Sequence, residues 1–136
     1  MVAGALIART ARAVLADLGL GHSEAVYQRA MVGRLARAGV PALTEVPVPF
    51  FCDGLCVGHG RVDILLDTHV VELKVTHAAP RAAMAHQLAR YAAALRDKGG
   101  PPRGGVLICF NQARAAAQCR FYRHTTAKLR PARKRR

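Results

Sequence analysis

The 136-residue sequence predicts a single α/β domain in which helices flank a central mixed β-sheet. Two observations lead to this prediction. Segments with apolar residues at helical spacing stand before and after a segment whose apolar residues alternate, as they do in β-strands. Hydrophobic residues make up 51% of the chain, which is enough for a packed core, yet no apolar run reaches the roughly 18 to 20 residues of a membrane-spanning helix. We therefore expect a soluble protein with no membrane partner.

Two helices are predicted at the start of the chain. The first covers residues 5–18, where apolar residues recur at intervals of three and four, and ends at the following glycines. Two early arginines among alanines also resemble an organelle transit peptide, but a helix of the domain is the preferred interpretation. The second helix follows Ser23, which stands at the N-cap position, and continues to Ala38 before Gly39 and Pro41.

Three strands are predicted next. Apolar residues alternate with prolines over 46–51, which indicates an edge strand because proline cannot donate a ladder hydrogen bond. Asp53-Gly54 predicts a hairpin turn, and the return strand starts near Leu55. We expect a bulge or bend at Gly58 and Gly60 before this strand resumes over 61–66. A third strand covers 70–76.

A third helix and one or two further strands complete the prediction. The helix is expected from Pro80 to about Lys98, because proline at the first helical position loses no hydrogen bond there. Met84, Leu88, Tyr91 and Leu95 form its apolar stripe. The apolar run 105–110 predicts a buried strand, and 118–123 predicts a last strand at the sheet edge.

The chain is strongly basic, with a net charge of +13 and a sequence pI near 11.0. Such a surplus is typical of proteins that bind polyanions, and nucleic acid, with DNA favoured over RNA, is the expected partner. Residues 120–136 contain eight of the basic side chains and no acid: Arg120, Arg123, Lys128, Arg130, Arg133, Lys134, Arg135 and Arg136. This segment could be an arm that binds phosphates, a nuclear-import signal or a solubilising end.

Four cysteines without a secretory leader indicate a reducing compartment and free thiols. The protein is therefore expected inside the cell, in the cytoplasm, or in the nucleus if the basic end is an import signal in a eukaryotic or viral setting. Cys52, Cys56 and His59 have the residue types of a zinc site, but they lack a convincing fourth ligand.

Only eight residues are acidic, so the position of each acid is informative. Glu72 and Lys74 share one face of the predicted strand 70–76, and Asp63 lies on the neighbouring strand, close enough to meet Glu72. Two adjacent carboxylates repel each other unless a cation lies between them, and carboxylate oxygens are ligands that Mg²⁺ or Mn²⁺ prefers. A solvated ion pair on an exposed strand face is the simpler alternative.

Several motifs together resemble the GxxExxY branch of the PD-(D/E)XK nuclease superfamily. The resemblance spans roughly residues 5–123, and the order and spacing of its motifs agree throughout. They stand in this sequence as Gly21-His22-Ser23-Glu24-Ala25-Val26-Tyr27, then Glu45-Val46-Pro47-Val48-Pro49-Phe50, Gly58-His59-Gly60-Arg61-Val62-Asp63, Val71-Glu72-Leu73-Lys74, His86-Gln87 with Tyr91, and Leu107-Ile108-Cys109-Phe110-Asn111. The proline that gives the superfamily its name is replaced by Val62.

The resemblance implies a restriction-endonuclease-like core with a Mg²⁺ or Mn²⁺ site at one end of the sheet. Asp63 and Glu72 would be metal ligands together with the backbone carbonyl of Leu73, and Lys74 would position or activate the attacking water. Glu24 would be a further acidic ligand or would position water.

Gln87 and Tyr91 match the QxxxY element of RecB-like members and would orient Lys74 or a phosphate. One turn of helix separates them, so they share a face. A packing role for Tyr91 and a buried hydrogen bond for Gln87 are the structural alternatives.

These observations predict a metal-dependent nuclease that hydrolyses phosphodiester bonds of DNA or RNA with a metal-activated water. The predicted catalytic domain covers residues 1–125 and the basic tail covers 126–136. Arg61 and the eight basic residues of 120–136 are the expected nucleic-acid-binding residues. The alternative is a non-catalytic nucleic-acid-binding or assembly module on the same fold. A homodimer or a protein partner could supply specificity.

Overall fold

A computed structural model of the protein describes residues 4–78, 81–96, 104–123 and 130–131. In this part of the chain, three helices and six strands follow one another in the order α1, α2, β1, β2, β3, α3, β4, β5, β6. The helices are α1 (Gly4–Leu18), α2 (Glu24–Arg37) and α3 (Ala82–Arg96). The strands are β1 (Leu43–Cys52), β2 (Leu55–Leu65), β3 (His69–Thr76), β4 (Gly104–Asn111), β5 (Ala116–Arg123) and β6 (Arg130–Pro131).

The strands form one mixed sheet in the order β1-β2-β3-β4-β5-β6. Only β3 and β4 run parallel, and α3 lies between them in sequence, as the connection of a parallel pair requires. The other neighbours are antiparallel. This architecture confirms the predicted α/β fold and is consistent with a restriction-endonuclease-like core.

Two apolar cores lie on opposite faces of the sheet because successive side chains of a strand alternate between faces. On one face, α1 and α2 pack on alternate residues of β3 and β4, among them Val71, Leu73 and Ile108. On the other face, α3 packs on Val70 and Leu107, the residues in between. The buried strand β4 therefore belongs to both cores, which explains its uninterrupted apolar sequence.

The pairing between β2 and β3 is short and determines the shape of one end of the molecule. β1 and β2 pair along their whole length, whereas β2 pairs with β3 only at Ile64–Val71 and Leu65–Val70. The rest of the β1–β2 hairpin has no ladder pairs with β3 and ends in a tight turn. Asp53 and Gly54 have φ values of 49° and 76° there, as the predicted hairpin turn requires.

Some element boundaries differ from the sequence prediction. α3 starts at Ala82, since Arg81 is outside the helix and its carbonyl accepts a hydrogen bond from the amide of Met84. The predicted first residue Pro80 and the predicted end near Lys98 lie outside the described residues. The predicted irregularity in the hairpin lies next to Gly58, because the register shifts between Phe50 and Phe51 and leaves Val57 unpaired, whereas Gly60 pairs regularly with Val48.

The predicted N-cap residue is confirmed, and the predicted sheet edge is corrected. Ser23 takes the extended N-cap conformation of α2, but its side chain makes no capping hydrogen bond. β5 is not the edge strand, because the short β6 pairs with Tyr122 and Arg123. The prediction that β1 is an edge strand is confirmed. Of the predicted tail 126–136, only Arg130 and Pro131 are described.

Candidate active site

Two carboxylates occupy the gap that opens where β2 leaves β3. Past Val71, the amides of β3 that point toward β2 have no strand partner on that side. The Leu73 amide donates to Asp63 Oδ2 at 2.8 Å, and the Val75 amide donates to Glu24 Oε1 at 3.3 Å. Acids from β2 and from the first turn of α2 thus replace the missing ladder hydrogen bonds of β3, and this fixes both of them beside the same strand.

Glu72 and Lys74 form an ion pair on β3. The Lys74 Nζ atom lies 3.4 Å from Glu72 Oε1, and the Glu72 side chain is only 3% exposed. The second oxygen, Glu72 Oε2, is buried and has no hydrogen-bond partner. A buried carboxylate oxygen without a partner is costly, so this corner of the site lacks positive charge.

The pKa shifts of the acids indicate the same shortage of positive charge. Burial and, after it, the negative charge of Asp63 together raise the pKa of Glu72 to about 8 against the opposing effect of Lys74. Burial also raises the pKa of Asp63, although the hydrogen bond from the Leu73 amide opposes this. Burial alone would lower the pKa of Lys74, but the charges of Glu72 and Glu24 outweigh it and the pKa is raised. Lys74 is therefore a cation in the pH range of interest, and it neutralises only part of the acidic cluster.

A cleft of about 350 Å³ opens beside these groups and is lined by Glu24, Ala25, Gln28, Glu45, Asp63 and Leu73. Gln28 crosses one wall of this cleft. Its Nε2 atom donates to the backbone carbonyl of Asp63 at 2.7 Å and to Glu45 Oε1 at 2.9 Å. Gln28 thereby fixes the part of strand β2 that carries Asp63.

Gln28 and Glu45 are not among the residues that the sequence predicts for the site. Gln28 follows Glu24 by four residues and so shares its face of α2, a spacing that could have placed it at the site. Glu45 is one of only eight acids in the chain and has a φ of 52°, an uncommon conformation for a residue other than glycine. Of these two features of Glu45, the sequence shows only that acidic residues are rare in this chain, and the backbone conformation is visible only in the structure.

The donor set fits a hard divalent cation. Among the described residues, no group of three or more His, Cys, Asp or Glu side chains is arranged to hold a metal ion. Mg²⁺ nevertheless commonly takes only one or two protein carboxylates and fills its other positions with water and phosphate oxygens. Asp63, Glu72 and the carbonyl of Leu73 can supply such a set, and the unpartnered buried Glu72 Oε2 is an oxygen that a cation would satisfy.

The zinc alternative is not supported by the hairpin geometry. Cys56 Sγ lies 3.8 Å from His59 Nε2. Cys52 pairs with Leu55 and Cys56 pairs with Phe51, so the two cysteines point to opposite faces of the hairpin. All four cysteines are described, and each is a free thiol.

The structure places Gln87 and Tyr91 at a contact between α3 and the hairpin. Gln87 Nε2 donates to the Tyr91 hydroxyl at 2.9 Å, and the Tyr91 ring stacks on Phe50 with centroids 6.1 Å apart. The ring also covers Gly60, where an added Cβ would lie 2.2 Å from Tyr91 Cε1. These contacts support a packing role for Tyr91. The predicted contact with Lys74 stays a prediction.

Tyr27, the tyrosine of the GxxExxY segment, is buried and contacts both the loop before α2 and strand β4. The Tyr27 hydroxyl donates to the carbonyl of Gly19 at 2.8 Å, and the ring stacks on Phe110 with centroids 4.3 Å apart. The Gly21 amide donates to Gln112 Oε1, and its φ of 87° favours glycine. These contacts fix the start of α2, from which Glu24 reaches β3.

The predicted nucleic-acid-binding residues are spread widely. Arg61, Arg120 and Arg123 are exposed on β2 and β5. Arg130 is described only as part of the backbone of β6. Lys128, Arg133, Lys134, Arg135 and Arg136 lie outside the described residues.

Comparison with known proteins gives one match. Residues 3–121 match a family model described as the PD-(D/E)XK nuclease superfamily. No curated protein and no solved structure matches the chain. Within the described residues, no helix has the length and apolar character needed to cross a membrane.

Proposed function

Because the chain belongs to the PD-(D/E)XK nuclease superfamily, we propose that it is a metal-dependent nuclease of the GxxExxY branch that hydrolyses phosphodiester bonds. One observation carries the proposal: Asp63, Glu72 and Lys74 meet at the point where β2 leaves β3, and a buried carboxylate oxygen there has no partner. A site that served only to stabilise the fold would not be expected to leave that oxygen unsatisfied.

Asp63 and Glu72 would hold Mg²⁺ or Mn²⁺ together with the carbonyl of Leu73, and Glu24 would be a further ligand or would orient water. When bound, the ion supplies Lewis-acid activation of the phosphoryl group and of water. The ammonium group of Lys74, beside Glu72, would bind the attacking water and stabilise negative charge on the phosphate. Its ion pair with Glu72 limits the positions that Nζ can take.

The substrate proposed for this site is nucleic acid, with DNA ahead of RNA. The net charge of +13 favours a polyanion, and Arg61, Arg120 and Arg123 present exposed guanidinium groups that can bind phosphates. Contacts of this kind are independent of sequence and weaken steeply with salt, since each neutralised phosphate releases counterions.

A second candidate function is a nucleic-acid-binding or assembly module without catalysis. One observation favours it: no three acidic or metal-binding side chains within the described residues are arranged to hold an ion. In this case the fold would bind phosphates through its basic residues, and a divalent ion would not matter.

The test measures cleavage of single-stranded, duplex and branched DNA and of RNA in Mg²⁺, Mn²⁺ or EDTA. Asp63→Asn and Lys74→Met should reduce metal-dependent cleavage at least about 100-fold while binding in EDTA is retained. Asp67→Asn, which removes an exposed carboxylate from the turn after β2, is the matched control and should cleave like the wild type.

Two outcomes count against the nuclease. Equal cleavage by the wild type and Asp63→Asn would remove this site from the reaction. Tight binding without cleavage of any substrate in either metal would favour the binding module.

A further inference from the structure

The end of the β1–β2 hairpin exposes apolar side chains that nothing in the described structure covers. We call residues 43–60 the hairpin arm and residues 51–57 its tip. Phe51, Leu55 and Val57 at the tip are 63%, 69% and 66% exposed. Near the tip, the arm contacts the rest of the fold where Phe50 stacks on Tyr91. Phe51 and Leu55 point to opposite faces of the tip, since Phe51 pairs with Cys56 and Leu55 with Cys52, and each exposes a large apolar side chain of the kind that marks interaction sites.

The charge of the arm separates it from the proposed nucleic-acid surface. Residues 43–60 contain no Lys or Arg and two acids, Glu45 and Asp53, so the arm carries −2 while the other residues carry +15. An element that binds phosphates needs positive charge. The arm is therefore suited to a protein surface, specifically an apolar one with a cation beside it.

This chain carries such a surface elsewhere. A pocket of about 430 Å³ lies between the C-terminal end of α1 and the turn that joins β4 to β5, and we call it the α1 pocket. Its lining is mainly apolar and includes Leu15, Ala16, Leu20 and Ala115–117, and Arg12 is the cation in it. The pocket offers apolar surface for side chains such as Leu55 and a guanidinium for an acid such as Asp53.

The arm and the α1 pocket lie at opposite sides of the sheet. The arm contains β1, the first strand in the sheet order, and the pocket borders the start of β5, with β2 to β4 between them. The arm of a chain therefore does not reach its own pocket. A second copy supplies the matching surface.

We propose that the tip of the hairpin arm docks in the α1 pocket of a second copy of this chain, with Leu55 in the apolar part and the Asp53 carboxylate against Arg12. Two chains of charge +13 repel each other, and a contact made by a segment without Lys or Arg reduces this repulsion. Pro47 and Pro49 lack amide protons, which hinders pairing of two β1 edges and leaves the tip as the contact. The proposal does not depend on nuclease activity.

The test is the mass of the nucleic-acid-free protein as a function of concentration, measured by sedimentation equilibrium. The wild type should form a reversible assembly of two or more 14.6 kDa chains. Leu55→Asp places a charge in the apolar contact, and Ala16→Glu fills the pocket and pairs with Arg12 from one helical turn away. Each variant alone should weaken association at least about tenfold, because burying one leucine side chain is worth that much.

Mixing the two variants distinguishes the arm-in-pocket contact from other modes of association. Ala16→Glu retains an intact arm and Leu55→Asp retains an intact pocket, so their mixture should associate as 1:1 pairs although neither variant does so alone. Asp67→Asn is the control and should assemble like the wild type, and circular dichroism should show all variants folded.

Three results would overturn the proposal. They are a wild type that stays monomeric at every concentration, a mixture of variants that does not associate, and association that persists in Leu55→Asp. If the wild type is monomeric and Leu55→Asp loses affinity for DNA, the arm contacts bases instead.

Discussion

Replacing Glu72 by Gln should stabilise the protein in EDTA, and the gain should grow with pH. Burial and the charge of Asp63 raise the pKa of the Glu72 carboxyl to about 8, whereas the unfolded chain has the ordinary value of 4.5. Between these two values the native state holds a proton that the unfolded state lacks. The free energy of unfolding of the wild type therefore falls as pH rises through this window, by at most about 1.4 kcal/mol per pH unit for one proton. Gln is neutral at every pH and is free of this loss.

The expected magnitude follows from that slope. At pH 5 the protonated Glu72 resembles Gln, and the two proteins should have nearly equal stability. By pH 7 the difference should approach about 3 kcal/mol in favour of Glu72→Gln. For a domain of this size, the loss of about 1.4 kcal/mol per pH unit lowers the melting temperature of the wild type by roughly 3 to 5 °C per pH unit relative to Glu72→Gln.

Urea unfolding followed by circular dichroism at pH 5, 6, 7 and 8 in EDTA measures this difference directly. Subtracting the wild-type curve removes the contributions of the shared groups that do not interact with Glu72, whereas Asp63 and Lys74 interact with it and remain part of the measured difference. Asp67→Asn controls for the loss of a carboxylate at an exposed position and should run parallel to the wild type. If Glu72→Gln also runs parallel to the wild type, the Glu72 carboxyl is ionised in the native state at ordinary pH and the argument from its burial is wrong.

Three further predictions concern packing and metal binding. Gly60→Ala should destabilise the protein by about 1 to 3 kcal/mol in urea unfolding, because its Cβ would clash with the ring of Tyr91, whereas Gly58→Ala has free space and is the matched control; equal stability of the two variants would contradict the contact. Excess Mg²⁺ or Mn²⁺ should raise the melting temperature of the wild type, since an ion that binds only the native state stabilises it, and Asp63→Asn should lose this gain. An identical gain in both proteins would place the ion elsewhere. Tyr27→Phe should cost about 1 kcal/mol in urea, because it removes a hydrogen bond to a loop carbonyl but keeps the ring stacking; no loss would show that water replaces that bond without cost.

Much of the fold could be predicted from the sequence because local patterns determine it. The apolar stripe of α1, the alternation in β1 and the turn at Asp53-Gly54 each depend on residues close together in the chain. Where long-range contacts decide, the prediction was incomplete. The pairing of β6 with β5 joins residues separated by a connection that has no pattern of its own, so 118–123 was predicted as the edge strand.

For the candidate site, too, local patterns predict some residues, whereas others depend on long-range contacts. Glu72 and Lys74 could be placed on one face from strand alternation alone, and Asp63 could be placed beside Glu72 from the neighbouring strand. The resemblance added a role for Glu24. Gln28 was not predicted, because its role depends on reaching a backbone carbonyl 35 residues away in the chain. Which amides of β3 lack a partner also depends on where β2 and β3 separate, and nothing in the sequence of either strand gives that position.

The short pairing of β2 with β3 accounts for both the candidate active site and the hairpin arm. If β2 had continued along β3 past Val71, strand carbonyls would have paired with the amides of Leu73 and Val75, and the carboxylates of Asp63 and Glu24 would have had no donors there. The same continuation would have kept the rest of the hairpin in the sheet and covered one edge of it. Because β2 turns away instead, the backbone supplies the donors that hold two acids in place, and the hairpin extends away from the site. The acids of the site and the exposed tip of the arm are therefore two consequences of one break in the sheet.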